Sequence, residues 1–322
     1  MNQHPLTYEN GARLETPPLK ELLDALTKFA HQGCVCLMVY GMPRTGKSTA
    51  SIVVVDRVEG SHAAVVYATV IKTDKGTFST LLQSLQISRG GLAKFPSLKP
   101  ENAFTKQVVM DCDDLGADRV WILVDEAQYL SYEQLIGLKG TLTELARNGL
   151  APFAVLFGQP EMLAKPQKFK HAGDASLVHR FVAHKYRMRG LRRREFENIL
   201  RMYDESRWPE NGPTYTQYFA PKHWERGWRM TNLAGPLTKA FEAIREAKGQ
   251  KADDLPVAYF MEAATSVLQE LDDVEPDEKT LQAMVREAVD ATGLADTYDF
   301  LGDLEARSRE AANSTPIRQG RA

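Results

Sequence analysis

Cysteine is scarce: only Cys34, Cys36 and Cys112 occur in 322 residues, too few for a disulfide-built scaffold. Cys34 and Cys36 form a C-x-C pair leading into an apolar run, where strand alternation would put both thiols on one face. A metal site would need further ligands nearby, and none is obvious. Reduced, buried thiols are the simpler expectation. Long apolar runs are missing too. Val35–Tyr40 and Ala151–Phe157 fall far short of the roughly 20 residues that cross a bilayer, and have the length of buried strands. The start, MNQHPLTYEN, lacks a basic segment followed by an apolar core, so no secretory leader and a cytoplasmic location are expected. Neither sign of charge dominates. Lys plus Arg is 40 and Asp plus Glu 42, net -2, which gives no global basic field for nucleic acid and leaves a local basic face open. There is no G-x-G-x-x-G at the first strand, no H-E-x-x-H and no G-x-S-x-G, which disfavours dinucleotide folds, zincins and hydrolase elbows. His171, His179 and His184 lack metal-binding spacing, and there is no internal repeat.

What remains is ordinary globular composition, 43% hydrophobic and 25% charged. Residues 1–18 read as an N-terminal arm. Pro17-Pro18 then opens a helix in which Leu19, Leu22, Leu23, Leu26 and Phe29 recur at helical spacing. Short, largely apolar segments at 35–40, 64–69, 120–124 and 153–157 alternate with helical ones at 47–58, 78–85, 103–115 and 132–148. Strands buried on both faces and separated by helices predict a parallel sheet sandwiched by helices over residues 19–190. After Gly190 the strand signals fade. Leu191–Tyr203, Tyr215–Phe219 and Leu233–Ala247 predict a small helical domain at 191–250. Residues 251–322 form an acidic C-terminal extension, with helices near 256–271 and 278–291 and a loose tail.

Gly41-Met42-Pro43-Arg44-Thr45-Gly46-Lys47-Ser48 matches G-x-x-x-x-G-K-[ST] in full, between a strand and a helix. Gly41 and Gly46 let successive N–H groups face one anion, at the positive end of the new helix. Lys47 would reach the β- and γ-phosphates of ATP, Ser48 would ligate Mg2+, and Thr49 would touch the α-phosphate. The apolar strand ending in Asp125-Glu126 supplies a magnesium partner in Asp125 and a general base in Glu126. That carboxylate pair favours hydrolysis over nucleotide storage. Gln159, after the strand Phe153–Phe157, orients the water, senses the γ-phosphate, or simply forms a turn before Pro160.

The phosphate loop, Val-Asp-Glu-Ala-Gln at 124–128, Phe-Gly-Gln-Pro at 157–160 and the small helical domain together resemble an AAA+ ATPase. Within that superfamily the chain resembles the transposition regulators of the TniB and TnsC type, relatives of the phage Mu B protein, with the ExeA-type ATPases as cousins. The resemblance spans roughly residues 16–250 and implies a P-loop sandwich followed by a helical lid. It also implies ATP-dependent rings or filaments on duplex DNA, recruitment of a transposase, and loading by a TniQ-type adaptor. Gln159 would match the first sensor, and Arg180 the arginine that reaches a neighbouring subunit's γ-phosphate. The second-sensor arginine is absent from Ala234-Gly235-Pro236-Leu237-Thr238-Lys239, where Lys239 is a weak substitute. The same motifs also serve helicase- and clamp-loading ATPases.

Six cations lie between Lys185 and Arg194, including Arg192 and Arg193. They offer a DNA backbone contact, a subunit interface or a solvated face, and one of them is a rival to Arg180 as the trans arginine. The loop 88–100 with Arg89, Lys94 and Lys99, together with Lys72, Lys75 and Lys106, is the other candidate for DNA, with phosphate contacts and little base preference. No helix-turn-helix or zinc-finger spacing appears.

Overall fold

The computed structural model describes residues 3–8, 14–59, 63–72, 76–87, 99–164, 175–181, 183–250, 254–275 and 277–299. They divide into two compact units. One is Glu15–Gly190; the other joins Met1–Leu14 to Leu191–Ala322.

The first unit begins with α1 (Pro17–His31), which two prolines open where a helix needs no N–H donor. The elements β1 (Cys36–Tyr40), α2 (Lys47–Glu59), β2 (Ala63–Thr69), α3 (Phe78–Ile87), α4 (Pro100–Leu115) and β3 (Arg119–Asp125) follow. Then come α5 (Tyr132–Arg147), β4 (Ala151–Gly158), α6 (Ala175–Phe181) and β5 (Lys185–Arg187). The five strands are ordered β2-β3-β4-β1-β5, and every pairing is parallel. Parallel neighbours leave both faces to be covered, and successive residues point to opposite sides. Leu37, Val39, Leu123, Phe153, Val155 and Phe157 meet α1 and α2 on one face. Met38, Val66, Val120, Ile122, Val124 and Leu156 meet α3 to α6 on the other.

Helix α5 starts with a reciprocal cap. Ser131 Oγ accepts from Gln134 N–H at 3.0 Å, and Gln134 Oε1 accepts from Ser131 N–H at 2.9 Å. Its Gly137 lets α3 approach closely, because a Cβ there would overlap the Phe78 ring.

Two sequence expectations change, and the cationic run contributes a strand. Cys34 precedes β1 and joins the α1–α2 side, whereas Cys36 joins the α3–α6 side, so the thiols do not share a face. Both are buried and unbridged, and burial raises both thiol pKa values. Lys185–Arg187, in the cationic run, forms the edge strand β5. The expected helix at 191–203 is a two-residue strand β6 (Leu191–Arg192), a 3-10 turn, and then α7 (Phe196–Glu205). The strand is possible because Leu191 and Arg192 pair antiparallel with Leu255 and Asp254 of β7 (Asp254–Leu255), a partner distant in sequence.

The second unit continues with α8 (Tyr215–Phe219), α9 (Pro221–Glu225), α10 (Ala234–Ala247), α11 (Val257–Glu270) and α12 (Glu278–Ala291). Ile199, Leu200, Leu237, Phe260, Leu268 and Val285 lie in one core, so the acidic extension packs within this unit. Part of its charge is met locally, by Lys222–Asp272 at 3.0 Å and Arg226–Glu275 at 2.9 Å. His4 is buried here too, its ring within about 5 Å of the rings of Trp208, Tyr215, Tyr218 and Phe219. Among the described residues no helix is long and apolar enough to cross a membrane.

Candidate nucleotide site

Each piece of the site stands at the carboxyl end of a strand of the first unit, where open parallel sheets bind ligands. β1 delivers the loop Gly41–Ser48, β3 delivers Asp125 and Glu126, and β4, which lies between them, delivers Gly158 and Gln159. Adjacent strands lie about 4.8 Å apart, so the carboxylates and the loop stand roughly two strand spacings from one another. Tyr40 is in register with Gly158, and Gly41 N–H donates to the Gly158 carbonyl at 3.3 Å.

The loop's shape explains its composition. Gly46 has φ 94, a left-handed conformation natural to glycine. Arg44 holds φ 62 although it carries a side chain. A Cβ on Gly41 would meet the Met188 carbonyl oxygen at 2.5 Å, so the chain leaving β5 crowds this glycine. Met188 N–H in turn donates to Tyr40 O at 2.8 Å. Thr45 Oγ1 donates to Met42 O at 2.9 Å and tightens the turn.

Lys47 is buried, and its ammonium donates to the carbonyls of Gly41 at 2.9 Å and Met42 at 2.7 Å. Burial pushes it down to about 8, against the opposing pull of Asp125, Glu126 and Glu161. All three carboxylates therefore act on the loop lysine. Glu161, at the turn after β4, belongs to the electrostatics of the site and was not picked out from the sequence. Ser48 is exposed at the start of α2, with Thr49 half-buried beside it.

Asp125 is buried, and its Oδ1 accepts from Glu126 N–H at 2.9 Å. Glu126 has φ 54, a left-handed turn that lifts its side chain off the end of β3. Its carboxylate accepts from Gln128 Nε2. Gln128 Oε1 accepts from Gln159 N–H at 3.1 Å. Gln128 was visible in the sequence only as part of a motif. The link to Gln159, 31 residues away, appears only once β3 and β4 are aligned.

The other candidates are dispersed. Arg180 is half-buried on α6 and donates to Lys139 O at 3.1 Å and Thr143 Oγ1 at 2.7 Å, both on α5 of the same chain. Arg89, Lys94, Lys75 and His171 lie outside the described residues. Lys99 is exposed just before α4, and Lys106 is exposed on it. Arg192 and Arg193 belong to the other unit, where Arg193 pairs with Glu242 at 2.9 Å. Within the first unit Arg189 pairs with Glu21 at 2.5 Å. The cationic run is thus divided between the two units, and two of its members, Arg189 and Arg193, are held in ion pairs. Lys239 is exposed on α10. No cluster of three or more His, Cys, Asp or Glu suited to a metal occurs among the described residues.

Residues 30–165 match the AAA domain family. No curated protein matches the chain. Among solved structures, the ORC2 protein of Aeropyrum pernix in ADPNP–ADP complexes is similar at 16% identity, with 87% of this chain and 68% of that chain covered and a TM-score of 0.56. Its ADP form gives 17%, 87% and 69%, with 0.55. The Walker-type ATPase of Pyrococcus abyssi gives 14% identity, 97% and 80% coverage, and 0.54. At such identities the likeness is one of fold. The chain carries an AAA+ P-loop ATPase domain, a helix-flanked parallel sheet followed by a helical lid. The domain takes ATP and Mg2+ and hydrolyses the nucleotide.

Proposed function

We propose that this chain is an AAA+ ATPase of DNA transactions, acting in the cytoplasm as an oligomer on duplex DNA in the manner of a replication initiator or loader. The observation that carries this reading is the fold likeness to an archaeal ORC2 protein over 87% of the chain, well beyond the nucleotide core. In this reading residues 41–49 hold the phosphates, and Ser48 and Asp125 hold Mg2+, which screens the triphosphate charge. Glu126 polarises the attacking water, and Gln159 senses the γ-phosphate. Exposed Lys99 and Lys106 offer phosphate contacts without base reading.

The finer, second reading is a transposition regulator of the TniB or TnsC type, with a transposase and a TniQ-type adaptor as partners. The motifs at 124–128 and 157–160 favour it. One experiment addresses both: negative-stain imaging with duplex DNA and ATP, a slowly hydrolysed analogue, or no nucleotide. Rings or filaments that need nucleotide and DNA support the DNA reading, and monomers under all conditions overturn it. Nucleotide-dependent retention of a transposase on those assemblies selects the transposition branch.

A further inference from the structure

The Gln128 carboxamide sits between two of the site's working parts. Its Nε2 donates to the Glu126 carboxylate, and its Oε1 accepts from the Gln159 N–H at 3.1 Å. Only one orientation of the amide satisfies both. Flipped, its oxygen would face a carboxylate and its NH2 an N–H. The neighbouring backbone makes room for this arrangement. A Cβ on Gly158 would lie 2.7 Å from Gln128 Oε1 and would also overlap Met162. Glu126, for its part, leaves β3 in a left-handed conformation that non-glycine residues seldom adopt. Three features therefore converge on one contact: a fixed amide, a glycine beneath it and a strained turn beside it.

We propose that Gln128 is a positioning residue for Glu126. It aims the carboxylate and ties it to the end of β4, so that movement of the Gln159 main chain is passed to the general base. The proposal rests on the reading of Glu126 as that base. A carboxamide at 128 can donate to the Glu126 carboxylate and accept from the Gln159 N–H at once, whereas a carboxylate there could only accept and would face Glu126 with a like charge. The isosteric Gln128→Glu variant keeps the shape and the acceptor for Gln159 but loses the donor to Glu126.

The test measures ATPase kcat and KM for the full chain and for Gln128→Ala, Gln128→Glu and Glu126→Gln, with nucleotide affinity taken from a fluorescent ADP analogue. Gln128→Ala is expected to lower kcat on the order of tenfold, within the roughly 10²–10⁴-fold contribution of a general base, with nucleotide affinity within about twofold of the parent. Gln128→Glu is expected to lower kcat at least as much, again with nucleotide affinity within about twofold of the parent. If Glu126→Gln is inactive while Gln128→Ala or Gln128→Glu keeps the parental kcat, the positioning role is overturned; a loss confined to KM and nucleotide affinity overturns it as well. If Glu126→Gln turns over at the parental rate, the base assignment falls instead, and the inference with it.

Discussion

Arg180 donates to Thr143 Oγ1 at 2.7 Å and to the Lys139 carbonyl at 3.1 Å, so the guanidinium ties α6 to α5 within one chain. Lys139 reinforces the junction by donating to Ser176 Oγ at 2.5 Å. Hydrogen bonds from a charged donor are worth about 1.5–3 kcal/mol each when partly shielded. Arg180→Ala should therefore destabilise the first unit by about 1–3 kcal/mol, read from denaturant unfolding. Unchanged stability would mean that the tie contributes nothing. A role for Arg180 toward a neighbouring subunit requires the side chain to give up these two acceptors. That role would show as ATPase lost in the assembly beyond what the stability change accounts for.

Lys47 carries a pH signature. Its value near 8 lies below the ordinary 10.5 because the amine is buried. A triphosphate beside it favours the charged form, so binding nucleotide draws in a proton. At pH 8 the uptake should approach about half a proton, because half of the amines are then neutral. Calorimetry in buffers of different ionisation enthalpy measures it, and a binding heat independent of buffer at that pH would refute it. In the unfolded chain the amine holds its proton to higher pH. Between the two values the unfolded state binds more protons, so this group makes folding more favourable as pH rises from about 8 toward 10.5. Lys47→Ala should abolish nucleotide binding.

Glu126→Gln should bind ATP and turn it over roughly 10²–10⁴-fold more slowly. Single-turnover hydrolysis with prebound nucleotide separates this chemical loss from any change in binding. A parental single-turnover rate would remove Glu126 from the base role.

Two glycines on α5 give opposite expectations. A Cβ at Gly140 meets nothing within 4 Å, so Gly140→Ala should stabilise the helix by up to about 1 kcal/mol. At Gly137 the same methyl overlaps the Phe78 ring of α3. Overpacking costs about 1–3 kcal/mol, which outweighs the propensity gain, so Gly137→Ala should destabilise. Paired unfolding curves decide it, and a stabilising Gly137→Ala would show that α3 can shift without cost.

The central strands were legible because each is apolar throughout, as a strand covered on both faces must be. β3, with Val120, Ile122 and Val124 on one face and Leu123 on the other, is the clearest case. β5 shows no such pattern, because it lies at the sheet's edge, where Lys185 and Arg187 stay exposed. β6 has two residues, and its partner is more than sixty positions away, so no local pattern announces it. Cys34 misled because alternation applies within a strand, and the strand begins only at Cys36. The phosphate loop and the Asp125–Glu126 pair could be read because their chemistry is local to the chain. Gln128 and Glu161 could not, because their roles depend on which strand ends come to lie together.

The aromatic pocket around His4 bears on how the protein can be shortened. Trp208, Tyr215, Tyr218 and Phe219 surround a residue from the start of the polypeptide. A truncated form that starts at α1 keeps every nucleotide motif and yet strips this nest of its occupant. The ring faces that the imidazole now covers would then meet water, and such a shortened protein would be prone to self-association that mimics genuine assembly.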